Sequence, residues 1–252
     1  MIEIKNLTKS FGSNLVLKDV SFTIDDGETL AVIGKSGSGK SVLMKHFNVL
    51  LYPDSGEVLI DGLNVFEIRY ARLRKLRQRF GVLFQGGALF DSITAHENVA
   101  FPLRYFSELK ENEIHDRVME SLSLVNLADI GKKTPAELSG GMKKRVGLAR
   151  AIVMKPDYLL YDEPTSGLDP QTSDEINDLI INMAETLDIT SVVITHDMHS
   201  VLRVADNVAF LDMQRLSWYG SVDEMRNSDH KALNDFITAS EYTIKTKTRS
   251  PV

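Results

Sequence analysis

A short glycine-rich stretch constrains this chain more than any other feature of its sequence: Gly34-Lys35-Ser36-Gly37-Ser38-Gly39-Lys40-Ser41. It fits the pattern G-x-x-x-x-G-K-[ST] of a phosphate-binding loop. The glycines allow backbone conformations that a side chain would forbid, so the amide N–H groups can turn inward and bind phosphate oxygens. Lys40 adds a positive charge directed at the β- and γ-phosphates, and the Ser41 hydroxyl can ligate Mg²⁺. The stretch therefore predicts a site for the phosphate chain of a nucleotide.

The residues on both sides of this loop have the pattern that such a site needs. Residues 29–33 form an apolar run typical of a buried strand, and Val42, Leu43 and Phe47 recur at helical spacing after the loop. A strand, a glycine loop and a helix in that order place a helix N-terminus against an anion. The alternative, a glycine-rich turn without a ligand, is disfavoured because both flanks are correct.

Composition and charge narrow the class of protein. The chain has 252 residues, 43% hydrophobic and 25% charged, which suits one large globular domain or two small ones. Its net charge of −6 argues against nucleic acid as a partner. The absence of cysteine excludes a disulfide framework and a thiolate metal site. The N-terminus does not resemble a signal peptide. No apolar run approaches the roughly 20 residues of a membrane span, so we expect any action at a membrane to require another protein.

Strands and helices alternate along much of the chain, which predicts an α/β fold. Residues 1–33 show the alternation of β structure, and further apolar strands are expected at 158–161, 191–195 and 208–211. No strand pattern is present between Gln85 and residue 158. A helical stripe is present there instead, formed by Ile114, Val118, Leu122 and Val125. The sequence therefore predicts a helical insertion that forms a lobe of its own.

A second helix start with the chemistry of a phosphate site follows this insertion. In Leu138-Ser139-Gly140-Gly141-Met142, Ser139 is a good N-cap residue and two glycines lie beside it. Local chemistry alone favours an ordinary capped helix. It is unusual, however, for one chain to contain two helix N-termini of this kind.

Two acidic residues and a histidine come at the ends of predicted strands. Asp162 and Glu163 follow an apolar strand, where phosphate-loop NTPases place an aspartate on the Mg²⁺ side. The adjacent glutamate can act as a general base towards water. His196 follows a later strand, at the end where open α/β sheets bind ligands. The alternatives are two acids that cap a strand and a histidine with a structural role.

Three other features have both a structural and a functional interpretation. Phe11 is either a core or turn aromatic or a platform for an adenine ring. Gln85, beside Gly86-Gly87, is either an ordinary turn residue or a polar side chain on a hinge near a ligand. The basic residues of 69–79 are interpreted as the solvated face of an amphipathic helix rather than as a site for anionic lipid headgroups.

Five separated elements in one order resemble the ATP-binding subunit of an ABC transporter over about residues 1–225. They are the loop at 34–41, Gln85, L-S-G-G-M at 138–142, Y-L-L-Y-D-E at 158–163, and His196. The resemblance implies an α/β fold with a phosphate-loop NTPase-like core sheet, an antiparallel β subdomain and a helical insertion lobe. The ATP-binding domain would span 1–240, with its helical subdomain at about 88–157, and residues 241–252 would form a mobile tail.

The resemblance also implies a role for each residue of the site, with ATP and Mg²⁺ as cofactors. Phe11 would stack on adenine, and the loop from Gly34 to Ser41 would bind the phosphates. Mg²⁺ would be held by Ser41, Gln85 and Asp162. Hydrolysis would depend on Lys40, on Gln85 beside the attacking water, on Glu163 as general base and on His196 at the γ-phosphate. Ser166 to Asp169 would form a loop that signals across a dimer.

The resemblance implies a homodimer with two ATP molecules, because Ser139, Gly140 and Gly141 of one subunit would complete the site of the other. Met142 departs from the family pattern, since it replaces the usual Gln and cannot offer that side-chain hydrogen bond. We expect the backbone N–H groups and Ser139 to suffice without it. Intact Lys40 and Glu163 argue against a non-catalytic regulatory cassette.

Within the family, the stretch at 84–104 is most similar to ATPases of Mla/Mce-type lipid transporters. This implies a separate membrane permease, a phospholipid cargo moved between membranes, and a possible lipid-binding substrate protein. The chain would lie on the cytoplasmic face of the inner (plasma) membrane. The alternative cargo is a small solute such as an amino acid. A soluble ABC protein of ribosomes or DNA is disfavoured, because the chain has one cassette, no long heptad run and a negative charge.

Overall fold

A computed structural model describes residues 1–245, the side chains of 241–245 excepted, and the chain divides into two compact units. The first unit contains residues 1–67 together with the chain from residue 194 onward, and the second contains residues 68–193. Within residues 1–245, no helix combines the length and the hydropathy of a membrane span.

The first unit is built from strands and short helices at both ends of the chain. Its N-terminal elements are β1 (Ile2–Phe11), β2 (Asn14–Ile24), β3 (Thr29–Ile33), α1 (Lys40–Phe47), β4 (Ser55–Ile60) and β5 (Leu63–Asn64). The second unit, which follows in the chain, contains α2 (Tyr70–Gln78), β6 (Phe80–Leu83), α3 (Ala95–Phe106), α4 (Glu111–Leu124), α5 (Gly140–Ile152), β7 (Tyr158–Asp162), α6 (Pro170–Leu187) and β8 (Thr190–Ile194). The chain then returns to the first unit with α7 (Met198–Val204), β9 (Asn207–Asp212), β10 (Arg215–Ser221), α8 (Val222–Arg226) and α9 (Lys231–Lys245).

The predicted antiparallel β structure forms a four-stranded sheet in the first unit, in the order β2-β1-β4-β5. Its register follows from the alternation of apolar residues, since Ile2 pairs with Ile60 and Ile4 pairs with Val58. All four of these side chains are buried on one face. Strand β1 of this sheet ends at Phe11, which lies in the same unit as the phosphate loop.

The phosphate loop follows a parallel strand of the same unit. β3 pairs in parallel with β9, and β10 pairs antiparallel with β9. Helices α7, α8 and α9 pack on these strands through a core that includes Met225, Leu233 and Phe236. Strand β10 was not predicted from the sequence, because its residues are only half-buried and have a weak alternation of apolar and polar side chains.

The second unit contains the predicted helical lobe. Between β6 and β7, which pair in parallel, the described chain forms α3, α4, α5 and two short 3-10 turns, and no strand. The stripe of Ile114, Val118, Leu122 and Val125 is fully buried, as its spacing predicts. The basic segment forms α2, with Leu73 buried and most of its charges exposed, which is the amphipathic helix that we expected.

Helix α9 ends at Lys245, so residues 241–245 are helical although the sequence placed them in the C-terminal tail. The remaining residues of that predicted mobile tail, 246–252, lie outside the described residues.

A histidine is buried in the helix that follows the phosphate loop. His46 is fully buried, and its Nδ1 donates to the carbonyl oxygen of Val42 at 2.7 Å. Its Nε2 has no hydrogen-bond partner among the described residues. Burial lowers the pKa of His46, and the hydrogen bond to Val42 opposes this only in part. The folded protein therefore holds His46 as a neutral imidazole.

We expect the free energy of unfolding to fall as the pH drops below 6.5, the ordinary pKa of histidine. In that range the unfolded chain binds a proton at residue 46 that the folded chain excludes, so acid favours unfolding, and this contribution is fully present above that pH. Urea unfolding at several pH values measures it. His46→Gln should flatten the dependence relative to wild type. His199→Gln, which removes an exposed histidine of the same unit, is the control. Equal slopes for His46→Gln and wild type would contradict the assignment.

Candidate functional site

The phosphate loop has the backbone conformation that its glycines predict. Gly34, Gly37 and Gly39 have φ values of 147°, 79° and 100°, in the region that L side chains rarely adopt. Space is also limiting. A Cβ on Gly34 would lie 2.3 Å from the carbonyl oxygen of Leu211, and one on Gly39 would lie 2.7 Å from Leu17 Cδ2. The loop is therefore held between β9 and β2, and only glycine fits at these two positions.

Two side chains of the loop are arranged for an anion. Lys40 begins α1 and is 8% exposed, and its Nζ donates to the carbonyl oxygens of Gly34 at 2.8 Å and Lys35 at 3.1 Å. The positive charge is thus held across the mouth of the loop at the N-terminus of a helix, where the helix dipole also favours negative charge. Ser38 Oγ is buried and has no hydrogen-bond partner among the described residues. A phosphate oxygen would satisfy that hydroxyl, so the loop fits the phosphate chain of ATP.

Phe11 and His196 lie in the same unit as the loop. Phe11 is 48% exposed at the end of β1, which excludes the core position, and the Nζ of Lys9 lies over its ring, 5.5 Å from the ring centroid. His196 is exposed and follows Thr195, whose backbone N–H donates to Val32 of β3 at 3.3 Å. Since Val32 lies two residues before Gly34, the end of β8 brings His196 to the region of the loop. Stacking on adenine and bonding to a γ-phosphate remain predictions for these residues.

The acidic pair lies in the second unit, at the end of β7. Asp162 is the last residue of the strand, and Glu163 follows it with a φ of 50°. Both side chains are half-buried. A left-handed conformation is uncommon for a residue with a Cβ, and such residues are enriched at functional sites. The turn that it opens is closed by a hydrogen bond from Ser166 N to Glu163 O at 3.2 Å.

The L-S-G-G-M element begins α5 as the sequence predicted. Ser139 is the N-cap, and its hydroxyl accepts a hydrogen bond from Met142 N at 3.3 Å. Ser139 and Gly140 are exposed, whereas Gly141 is buried against α6. A Cβ on Gly141 would lie 2.5 Å from Thr172 Cγ2, so a larger residue there would push α5 away from α6. Met142 is half-buried and donates its backbone N–H to this cap, so the cap does not depend on the side chain of residue 142.

Gln85 and the loop after Glu163 are in contact. Gln85 Nε2 donates to Ser166 Oγ at 3.3 Å. The chain beyond Gln85 is held by Arg150 of α5, whose guanidinium donates to the carbonyl oxygens of Gly87 and Ala88, both at 2.8 Å. Burial lowers the pKa of Arg150, although a guanidinium remains charged at any physiological pH. The predicted hinge is therefore anchored to the same helix that begins with Ser139.

Sequence reasoning missed the residue that joins these parts. Lys144 of α5 is 4% exposed, and its Nζ donates to the carbonyl oxygens of Glu163, Pro164 and Ser166. Burial lowers the pKa of Lys144 to about 8, an effect that the charge of Glu163 partly offsets. The sequence did contain one indication that Lys144 is buried. Residues 141, 144, 147, 148 and 151 lie on one helical face, and all but Lys144 are small or apolar.

The predicted site residues thus fall into two groups, one in each unit. The first unit contains Phe11, the loop from Gly34 to Ser41, and His196. The second contains Gln85, Ser139 to Gly141, Asp162 and Glu163, and here the contacts of Gln85 and Lys144 tie the three elements together. The metal-ligand set that we predicted consists of a hydroxyl, an amide and a carboxylate. These hard oxygen donors fit Mg²⁺, which takes few protein ligands and keeps several waters.

Comparisons with known proteins agree with this arrangement. Residues 17–166 match the sequence profile of the ABC transporter family. The chain is 44% identical over 236 residues to the probable ribonucleotide transport ATP-binding protein Mkl of Mycobacterium leprae, covering 94% of this chain and 68% of the relative. It is 44% identical over 241 residues to the methionine import ATP-binding protein MetN of Carboxydothermus hydrogenoformans, covering 94% and 71%. It is 37% identical over 237 residues to the intermembrane phospholipid transport system ATP-binding protein MlaF of Haemophilus influenzae, covering 94% and 90%. The chain thus spans about two thirds of the length of Mkl.

Solved structures similar to this chain are also ATP-binding proteins of the ABC class. The dimeric post-hydrolysis state of the ATP-binding cassette MJ0796, bound to ADP and Pi, superimposes with a TM-score of 0.80 at 32% identity, covering 88% of this chain and 99% of that chain. The cbiO1 protein of Clostridium perfringens, part of the ABC transporter complex cbiONQ, superimposes with a TM-score of 0.83 at 31% identity, covering 97% and 98%.

Replacing Lys40 should weaken nucleotide binding itself. Lys40→Ala removes the buried ammonium at the mouth of the loop, and a hydrogen bond to a charged group contributes about 1.5–3 kcal/mol, so we expect affinity for ATP to fall by roughly 10- to 100-fold. Binding of a fluorescent ATP analogue measures this. Lys45→Ala, which removes an exposed lysine from the same helix, is the matched control. Equal affinities for Lys40→Ala and Lys45→Ala would show that the Lys40 ammonium does not contribute to binding the phosphates.

Proposed function

The chain belongs to the ABC transporter family of ATP-binding domains and is an ATPase of that class, and we propose that it powers a separate membrane permease that moves phospholipid between membranes. The observation that supports hydrolysis most directly is the glycine-constrained loop with its buried Lys40. Support for the cargo comes from the MlaF relative and from the stretch at 84–104, which resembles Mla/Mce-type ATPases. The MetN relative favours a second candidate, the import of a small solute such as an amino acid.

The proposed chemistry assigns one task to each group of residues. The loop from Gly34 to Ser41 binds the phosphates, and Phe11 supports the adenine ring. Ser41, Gln85 and Asp162 are the residues that would hold Mg²⁺, which neutralises phosphate charge when bound. Glu163 accepts a proton from the attacking water, and His196 donates a hydrogen bond to the γ-phosphate.

We also propose that two copies of the chain bind two ATP molecules between them. The support is that α1 and α5 both begin with a glycine-flanked N-terminus, while only α1 of these two helices has a buried lysine in its first turn, held at the phosphate loop. Ser139 and Gly140 are exposed and so are accessible to the ATP of a second copy. In the head-to-tail arrangement that the family resemblance implies, these residues close on the γ-phosphate in trans.

The permease is proposed to dock on the helical lobe, beside the loop that Gln85 opens. A pocket of about 320 Å³ lies there, lined by Phe90, Ser92, Ile93, Glu97, Phe101 and Arg104. Phe90 and Phe101 are 46% and 40% exposed with ring centroids 4.9 Å apart, which is unusual for a solvated surface. Val99, in the same helix as Phe101, is fully buried and belongs to the lobe's core.

The chemistry of this pocket favours a short amphipathic helix of the permease as its occupant. Aromatic rings would seat apolar side chains, and Glu97 and Arg104 at the rim would pair with polar ones. Docking there would hold the chain at the cytoplasmic face of the inner (plasma) membrane, and a lipid-binding substrate protein would deliver or receive the phospholipid.

Glu163→Gln should stop hydrolysis and leave ATP bound. The amide keeps the size of the side chain but cannot accept the proton of water, so we expect the rate to fall by about 10²- to 10⁴-fold. The trapped ATP should also hold two copies together, so the variant should elute as a dimer with ATP and as a monomer with ADP. Glu185→Gln on the exposed face of α6 is the control. A Glu163→Gln protein that hydrolyses ATP at the wild-type rate would refute the role of Glu163.

The cargo is tested by purifying the chain with its permease from membranes and extracting the retained lipid. We expect bound phospholipid and an ATPase rate that changes when phospholipid is added to the complex. A partner that binds a water-soluble solute, with no retained lipid and no response to lipid, would refute the phospholipid cargo and favour solute import.

The docking surface is tested in the same preparation. Phe101→Asp places a charge in the apolar pocket and should reduce recovery of the permease by about tenfold or more, because truncating a buried aromatic anchor typically costs 2 kcal/mol or more. Leu63→Asp changes an exposed apolar residue of β5 in the other unit and serves as the control. Undiminished recovery with Phe101→Asp would place the permease elsewhere.

A further inference from the structure

Lys144 is a buried cation whose hydrogen-bonding capacity is used entirely by one loop. Its Nζ donates to Glu163 O at 3.1 Å, to Pro164 O at 2.6 Å and to Ser166 O at 2.8 Å. An ammonium group has three donors and no acceptor, so these contacts satisfy it fully. The side chain is 4% exposed, and it leaves α5 to reach a loop more than 18 residues further along the chain. Burying an ammonium group costs free energy unless hydrogen bonds replace its water. For Lys144, the loop supplies these hydrogen bonds.

The loop that Lys144 binds needs an external support. Glu163 has a left-handed backbone with a φ of 50°, which is strained for a residue with a side chain. Its carbonyl oxygen accepts from both Ser166 N and Lys144 Nζ. Gly167, with a φ of 76°, then reverses the chain. The hydrogen bonds from Lys144 therefore fix the backbone of Glu163, and this backbone sets the direction of the Glu163 carboxylate.

We propose that Lys144 is a positioning residue for hydrolysis: its ammonium fixes the backbone of Glu163 and of the loop through Ser166, and so fixes the carboxylate that activates water. The inference rests on the proposed role of Glu163 as general base. Lys144 does not bind the nucleotide, and its effect reaches the reaction only through the backbone of that loop.

The place of Lys144 on α5 adds a second consequence. The same helix begins with Ser139 and Gly140, one turn before Lys144. Its position against α6 is fixed by the close packing of Gly141 on Thr172 and by an ion pair between Arg145 and Glu175. A displacement of the first turn of α5 therefore moves the Lys144 ammonium relative to Glu163. In a head-to-tail dimer, contact of Ser139 with one ATP would adjust the base that acts on the other.

The test compares Lys144→Met with Lys143→Met. Methionine keeps the length of the lysine side chain and removes its donors, which leaves three carbonyl oxygens without the ammonium. Lys143 is the neighbouring half-buried residue on the same turn. For Lys144→Met we expect kcat to fall by about 10- to 100-fold, as for a lost charge-assisted hydrogen bond, while KM for ATP stays within about threefold. Lys143→Met should keep the wild-type values.

A purely structural role for Lys144 would give a different result, and hydrogen exchange separates the two. With the ammonium removed, the amides of 163–168 should exchange faster than in wild type, while those of α5 and α6 should not change. Lys144→Gln, whose amide keeps part of the donor set, should show a smaller loss of kcat and a smaller increase in exchange. If Lys144→Met does not fold, the Gln variant decides by the same two measurements.

Unchanged kcat in Lys144→Met or Lys144→Gln would overturn the proposal. So would a loss of kcat accompanied by an equal loss of ATP affinity and by faster exchange throughout α5 and α6. Failure of the proposed function gives another result, because ATP hydrolysis would then proceed at the same rate in wild type and in Glu163→Gln. In that case the exchange of 163–168 in the nucleotide-free variants still decides whether Lys144 holds the loop.

Discussion

The positive-φ backbone of the phosphate loop is the constraint on which the first unit depends. Gly34 and Gly39 are pressed between Leu211 of β9 and Leu17 of β2, so the loop shape is fixed by two strands that come from opposite ends of the chain. The loop in turn fixes where α1 begins and where Lys40 lies. The N-terminus of α1 and the buried Lys40 ammonium both lie at the loop, and both favour an anion there. Little water screens these interactions, because the ammonium is buried.

Among the residues whose burial the structure describes, each unit buries one lysine, and in both cases backbone carbonyl oxygens replace the water. The Lys40 ammonium donates to the carbonyl oxygens of Gly34 and Lys35. The Lys144 ammonium donates to those of Glu163, Pro164 and Ser166. Desolvation of an ammonium is costly, so such residues persist where the charge or its bonds are needed. Lys40 directs its charge at a ligand, whereas Lys144 uses its charge on the protein itself. The second arrangement links α5, the loop after β7 and, through Ser166, Gln85.

The helical lobe divides its apolar residues between a core and a surface. Ile114, Val118 and Leu122 are buried inside it, whereas Phe90 and Phe101 remain partly exposed beside a pocket. Asn98 holds the wall of that pocket, because its side chain accepts from Phe90 N at 2.8 Å and donates to Phe90 O at 3.1 Å. The exposed rings are thus held in a defined position rather than on a loose segment, as the proposed docking of a partner helix requires.

The phosphate loop, the order of strands and helices around it and the helical lobe could be predicted from the sequence, because glycine requirements and the 2.0 and 3.6 residue periods are local. The roles of the candidate residues remain predictions. Sequence reasoning missed β10, whose half-buried residues alternate weakly. It also gave no account of Lys144, since a lysine in a basic run is usually solvated. The inward turn of this side chain could be seen only in the folded protein, because the three carbonyl oxygens that hold it come from a loop distant in sequence, and such long-range contacts leave no periodic signal.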